Sequence, residues 1–319
     1  MNLPKLTDID VSGKRVIVRA DLDIVGSENY RLDAITPTLD FLFNKASKIT
    51  VIGHKGRPGG VYDEGLSTKG LQPFFDKWRA KVEENLRFDP GEEANDPEFA
   101  KKLASLGDVY INEAFASSHR DSASITSLPK LLPHAAGIRF AQEVENLNKV
   151  LEDPKRPVLF IIGGSKDDKV DYIKSLEPFA DKILVGGRLP EYYGDRALES
   201  VREQKEGDKL VIANLVQDKE DITLNSIERF EKEIGKAKTI VLAGPMGKYE
   251  VEGHMQGTER VFRAVANSNA YKVTGGGDSL VVIDKLSLVQ KFDWVSVGGG
   301  AMLEFLSKKT LPGIEALKQ

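Results

Sequence analysis

Cysteine is missing from all 319 residues, which excludes disulfides and thiolate metal sites and fits a reducing compartment. A basic excess is missing too. The 45 Lys and Arg stand against 49 Asp and Glu, a formal net charge of −4, which argues against a general nucleic-acid binder. No apolar run approaches the roughly 18 residues of a membrane span. The opening MNLPKLTDIDVSGKR lacks the apolar stretch of a secretory signal. The expectation is therefore a cytoplasmic protein with neither nucleic-acid nor membrane partners. Neither G-x-x-x-x-G-K-[ST] nor G-x-G-x-x-G occurs, so an ordinary P-loop or a standard dinucleotide site is not indicated. A nucleophile elbow G-x-S-x-G is also lacking, as is any histidine pair at metal spacing.

What is present suits two domains: the length exceeds one typical domain, and 40% hydrophobic residues can fill two cores. Short apolar runs alternate with helical patterns. Arg15–Ala20, Ile49–Gly53 and Val109–Asn112 read as strands, with helices over Pro37–Lys45 and Pro97–Leu106. In the second half the strands read Val158–Ile162, Ile183–Val185, Leu210–Ala213, Thr239–Leu242, Tyr271–Thr274 and Trp294–Val297. Helices at Ser226–Ile234, Thr258–Ala266 and Ala301–Leu306 fall between or after them. Such alternation implies parallel sheets with helices on both faces. The boundary is expected near Ala141–Pro157, where Val144, Leu147 and Leu151 keep helical spacing before Pro154 and Pro157 break it. The predicted division is 1–140, a connecting helix over 141–155, and 156–304.

Four glycine clusters follow predicted strands in the second half: Gly163-Gly164, Gly186-Gly187, Gly275-Gly276-Gly277 and Gly298-Gly299-Gly300. Glycine at a strand's carboxyl end lets backbone approach a phosphate, and helix N-termini there offer unpaired N–H groups. A single doublet would mean only a turn; four in one half point to a nucleotide. Lys166 could reach a phosphate, or simply be solvated. Asp278 could hold Mg²⁺ already on phosphates, or simply cap a helix. In the first half Arg31, His54, Arg57, Arg87 and Arg120 stand near element ends. If those ends converge, they form a cavity for a small substrate carrying phosphate and carboxylate.

Read in order, RADLD, GHKGRP, ENLRFDPGEE, NDPEFAKKLASLGDVYINEAFASSHR, GGSKDDK, AGPMGKYE, GGGDS and VGGGAMLE resemble the successive motifs of phosphoglycerate kinases over most of the chain. The resemblance implies an α/β fold of two Rossmann-like lobes, each a mostly parallel sheet flanked by helices, joined by a hinge helix. Residues 305–319 would pack back on the first lobe. It implies a monomer that moves a phosphoryl group reversibly from 1,3-bisphosphoglycerate to ADP, giving 3-phosphoglycerate and ATP, with Mg²⁺ bound alongside the nucleotide. Asp21, Asp23, Arg31, His54, Arg57, Arg87 and Arg120 would hold the phosphoglycerate. Gly163, Gly164, Lys166, Lys169, Gly186, Gly187, Pro245, Glu250, Gly275, Gly276, Gly277, Asp278 and Ser279 would hold the nucleotide, with Asp278 on the metal and Arg31 and Lys166 catalytic. There are departures. Gly59–Glu83 and Gly194–Glu220 are shortened, the GGSKDDK loop is one residue short, and Asp23, Arg188, Ala243 and Thr223 replace the family's usual residues. These departures keep open a homologue that binds without turnover. A dehydrogenase-like dinucleotide binder is the remoter alternative, since its fingerprint is missing.

Overall fold

Arg15–Arg19 and Lys48–Ile52 are each buried along four of their five residues. Strands buried on both faces belong inside a parallel sheet covered by helices. The computed structural model, which describes residues 3–24, 30–193 and 207–318, contains two such sheets, one in each of two compact units.

Unit 1 comprises Met1–Glu145 and Thr310–Gln319. It runs β1 (Arg15–Arg19), α1 (Tyr30–Phe43), β2 (Lys48–Ile52), α2 (Gln72–Phe75), β3 (Ala80–Val82), α3 (Pro90–Glu93), α4 (Pro97–Ala104), β4 (Val109–Asn112), β5 (His134–Ala136) and the start of α5 (Ile138–Leu151). Its strands lie in the order β3-β2-β1-β4-β5, all parallel, with Val16 opposite Ile49 on one side and Val109 on the other. Val16, Val18, Leu39, Leu42, Val51 and Phe75 are fully buried in its core.

Unit 2 comprises Asn146–Lys309. After the rest of α5 come β6 (Val158–Ile162), α6 (Asp168–Leu176), β7 (Lys182–Val185), β8 (Leu210–Ile212), α7 (Leu224–Ile234), β9 (Thr239–Ala243), α8 (Gln256–Asn267), β10 (Tyr271–Gly275), α9 (Gly277–Lys285), β11 (Trp294–Ser296) and α10 (Gly299–Lys308). The strand order is β11-β10-β9-β6-β7-β8, again all parallel. The chain then returns to unit 1 as α11 (Pro312–Ala316), where Leu311, Ile314 and Leu317 are buried and the Gly313 N–H donates to the Ser118 carbonyl at 2.9 Å.

Each sheet reverses its winding once, between β1 and β4 in unit 1 and between β6 and β9 in unit 2. In doubly wound sheets the crevice at that reversal, past the strands' carboxyl ends, is where ligands bind.

Several elements differ from the sequence reading. The helix expected at Pro37 begins at Tyr30, so Arg31 sits in its first turn rather than ahead of it. Leu32, Ile35, Leu39 and Leu42 make one buried stripe that carries the helix straight through Pro37. β3 and β5, three residues each, are too short for periodicity to reveal. The unit boundary falls inside α5, at 145/146, and the C-terminal return starts at Thr310 rather than 305. α10 stays with unit 2 because Met302, Phe305 and Leu306 are buried there and Glu304 accepts from the Tyr172 hydroxyl of α6 at 3.4 Å. The shortened stretch 59–83 holds short turns, α2 and β3; within the other, residues 194–206 lie outside the described residues.

Candidate functional site

Unit 1 has a small cavity, about 100 Å³, at the carboxyl ends of its strands. Arg19 from the end of β1, His54 after β2, Arg87 after β3 and Arg120 after β4 all line it. The convergence has an electrostatic signature. Burial first, then the charges of Arg19, Arg87, Arg120 and Arg31, hold the His54 imidazole far below its ordinary pKa. Geometry agrees: an Arg19 Nη donates to His54 Nδ1 at 2.9 Å, and since arginine only donates, Nδ1 is the acceptor of a neutral ring. The remaining proton sits on Nε2.

The other predicted residues of this half divide. Arg87 is nearly buried, with one Nη on the Gly56 carbonyl at 2.6 Å and Nε 3.2 Å from Glu93. Arg31 donates to the Asp23 main-chain carbonyl. Asp23 Oδ1 accepts the Gly56 N–H at 2.8 Å, so its carboxylate is engaged in the turn after β2. Asp21 accepts from Ser117 Oγ at 2.6 Å and the Ala116 N–H at 2.9 Å, bracing the turn after β4. Arg57 is exposed and not among the residues lining the cavity. Sequence reasoning missed Arg19 and Glu92. Arg19 was legible: a charge in an otherwise apolar buried strand must have partners to be there.

Unit 2 has a larger cavity, about 270 Å³, at its own carboxyl edge. Gly164 and Ser165 follow β6, Gly187 and Arg188 follow β7, Pro245 and Gly247 through Glu250 follow β9, and Asp278 follows β10. Gly164, Gly187, Pro245, Glu250 and Asp278 were predicted; Ser165, Glu220, Lys248 and Tyr249 were not. Asp278 lies in the first turn of α9, whose leading N–H groups are unpaired by helix geometry, and Gly277 beside it faces open space.

Most of the other glycines serve packing. A Cβ at Gly163 would meet the Pro245 carbonyl at 2.2 Å, and one at Gly187 would meet the Gly164 N at 2.3 Å. The loops after β6, β7 and β9 are stacked backbone on backbone, which no side chain would permit. Gly186 packs on Met246, Gly275 on Ser296, and Gly276, at φ +100°, on Gly299. Ser279 is buried, and its hydroxyl accepts the Gly244 N–H at 2.8 Å, bracing the loop after β9.

The two lysines part company. Lys166 is exposed, whereas Lys169 turns its ammonium onto the Gly163 carbonyl at 2.5 Å and the Ala243 carbonyl at 3.4 Å. Burial lowers the Lys169 pKa, opposed by the charges of Asp278 and Asp168 and aided by Lys166, so these groups are neighbours. In the shortened loop Lys169 therefore braces the backbone rather than lining the cavity. Arg188 pairs with Glu191 at 2.8 Å, and Thr223 caps α7 through the Ser226 N–H. Among the described residues no group of three His, Cys, Asp or Glu is placed to hold a metal, and no helix is long and apolar enough to cross a membrane.

The family model for phosphoglycerate kinase matches residues 6–83, 79–194 and 192–309. A phosphoglycerate kinase of Dictyoglomus turgidum is 36% identical, covering 98% of both chains, and one of Haemophilus influenzae is 33% identical, covering 100% of this chain and 99% of the relative. Those alignments span 386 and 384 positions, more than the 319 residues here, so gaps fall in this chain. The solved phosphoglycerate kinase of Coxiella burnetii superposes with a TM-score of 0.84 at 26% identity, covering 100% of this chain and 99% of its own. The chain belongs to the phosphoglycerate kinase family and is a phosphotransferase.

Proposed function

We propose that this enzyme transfers the acyl phosphoryl group of 1,3-bisphosphoglycerate to ADP, reversibly, directly and in line. The observation that carries the reading is the opposition of chemistries: side-chain cations at one sheet's carboxyl edge, glycine-rich backbone and a helix N-terminus at the other's. In unit 1, Arg19, Arg87 and Arg120 bind the phosphoglycerate oxygens, and the Nε2–H of neutral His54 donates a further hydrogen bond. Asp21 and Asp23 shape the turns that present them. In unit 2, ADP or ATP occupies the larger cavity, with Pro245 and Gly187 against the base, Glu250 at the ribose, and the N–H groups of Gly277 and its neighbours at the phosphates.

Asp278 fits a magnesium ion carried by the nucleotide. It is exposed on the cavity wall, and Mg²⁺ commonly takes only one or two carboxylates when phosphates supply its other ligands. The ion would neutralise phosphate charge. The protein's own work is positioning and charge compensation, since phosphoryl transfer asks for little covalent chemistry from side chains. Arg31 and Lys166 act on the transferring group by compensating its charge. The enzyme works as a cytoplasmic monomer.

The test is a coupled assay with 3-phosphoglycerate and ATP. Turnover is expected in the wild type, with a loss of about 100-fold or more in kcat for Arg31→Ala and for Lys166→Ala, the size seen when one charge-stabilising donor is removed. Wild-type rates in either variant would remove that residue from the mechanism.

A further inference from the structure

Arg19 is a cation with 1% of its surface exposed, and among the described residues its hydrogen-bond partners are all neutral. Nε donates to Ser124 Oγ at 2.8 Å, one Nη to the Ala20 carbonyl at 2.5 Å, and the other to His54 Nδ1 at 2.9 Å. A buried charge needs a counter-charge within reach. Here it lies one hydroxyl away. Ser124 Oγ donates to Glu92 Oε1 at 2.6 Å, and Glu92 is itself only 2% exposed. Since a serine hydroxyl has one proton, it serves both neighbours in one sense only, giving its hydrogen to the carboxylate and its lone pair to the guanidinium.

Glu92 is engaged further. Oε2 accepts the Ser124 N–H at 3.0 Å, and Oε1 also accepts from Ser122 Oγ at 3.1 Å. Ser122 and Ser124 stand two and four residues after Arg120 in the chain. The Tyr110 hydroxyl, donating to the Ser124 carbonyl at 2.8 Å, lies within the field of both Arg19 and Glu92. One carboxylate thus ties together the floor of the cavity, the segment after Arg120 and, through a relay, the most buried of the described arginines.

We propose that Glu92 is a positioning residue for the phosphoglycerate: it fixes Arg19 through Ser124 and anchors the segment that follows Arg120, while its own oxygens stay off the guanidinium. The contrast is Glu93, which meets Arg87 directly at 3.2 Å. A carboxylate seated on Arg19 would occupy the donors that a substrate anion needs. Held back by one hydroxyl, it compensates the buried charge and sets the guanidinium plane, leaving the cationic face to the ligand. The inference rests on the substrate assigned to this cavity above.

The experiment uses the full chain as Glu92→Gln, Glu92→Asp and Ser124→Ala. It measures KM for 3-phosphoglycerate and for ATP, kcat, and calorimetric Kd for 3-phosphoglycerate and for inorganic sulfate. In Glu92→Gln and in Ser124→Ala, KM and Kd for 3-phosphoglycerate should rise about tenfold, the weight of one charge-assisted hydrogen bond. KM for ATP and kcat should stay within twofold, and Glu92→Asp should recover part of the loss. A folded Glu92→Gln with unchanged affinity for 3-phosphoglycerate overturns the proposal, as does a fall in kcat with KM unmoved. Should Glu92→Gln not fold, Ser124→Ala decides on the same criteria. If the wild type neither binds nor turns over 3-phosphoglycerate, the assigned function fails. The positioning role is then read from sulfate: weaker binding in the variants supports it, and equal binding overturns it.

Discussion

His54 sits among arginines because the loop after β2 opens where β1, β3 and β4 also end. Its buried ring, with positive charges on several sides, resists a proton that the unfolded chain accepts near the ordinary value of 6.5. Above that pH both states are neutral at this residue and it leaves stability unchanged. Below it the unfolded state binds the proton and the folded state does not, so stability falls as the pH drops, by up to about 1.4 kcal/mol per pH unit. Denaturant unfolding between pH 6.5 and 5 should show this slope, and His54→Asn should flatten it; an equal slope in both proteins would mean that His54 is protonated in the fold. Lys169 makes a different case. Its ammonium joins the carbonyls of Gly163 and Ala243, and since the Ala243 carbonyl also accepts the Gly163 N–H at 3.0 Å, Lys169→Met should leave the buried Gly163 carbonyl short of its lysine donor and cost about 1–3 kcal/mol. Thermal denaturation checks this, and a variant as stable as the wild type would refute it.

At the scale of elements, α5 starts on a carboxylate. Glu113, from the turn after β4, accepts the Arg139 and Phe140 N–H groups at 3.0 and 2.8 Å and the Thr38 hydroxyl at 2.6 Å, while that hydroxyl accepts the Ile138 N–H at 2.8 Å. One side chain thereby links α1, the end of β4 and the start of the helix that runs across the unit boundary. Burial pushes the Glu113 carboxyl up to about 7, against the donated hydrogen bonds and the positive helix end that favour its charge. Because this folded pKa exceeds the unfolded one, the residue's contribution is full below about 4.5 and is lost as the pH rises towards 7. Glu113→Gln can keep an oxygen toward Thr38 and Arg139 only by turning its amide toward the Phe140 N–H. A loss of about 1–3 kcal/mol is expected by denaturant unfolding, and no loss would show that the cap is dispensable. Gly137 is constrained by the same contact, since a Cβ there would meet Glu113 Oε2 at 2.2 Å. None of this was legible in sequence: Glu113 and Gly137 stand 24 positions apart, and only the β4–β5 pairing brings them together.

For the whole molecule, the C-terminal return is the feature to test. Leu311, Ile314 and Leu317 are fully buried in unit 1, and each such side chain contributes about 1.5–3 kcal/mol by leaving water. The chain has one tryptophan in each unit, Trp78 and Trp294, so each unit can report its own unfolding in a single-tryptophan variant. Ending the chain after Lys309 should move the Trp78 transition to markedly lower denaturant and the Trp294 transition much less. Equal shifts would mean that the tail stabilises both units alike.

The sequence by itself determined the alternation of strand and helix, the parallel sheets and the glycine-rich character of the second half, because these are local: period, propensity and turn chemistry are written in neighbouring residues. It also carried the family, through motifs whose order is linear. Only the tertiary structure decided which charges share a cavity. Strand order brings the ends of β1, β2, β3 and β4 side by side although they lie tens of residues apart, and so gathers Arg19, His54, Arg87 and Arg120 while leaving Arg57 in solvent. It likewise decided that Lys169 braces a loop, that Gly163, Gly187 and Gly244 pack backbone on backbone, and that Glu92 reaches Arg19 through a serine. Burial and hydrogen-bond pairing are properties of distance in space, and a linear chain does not specify those distances until it has folded.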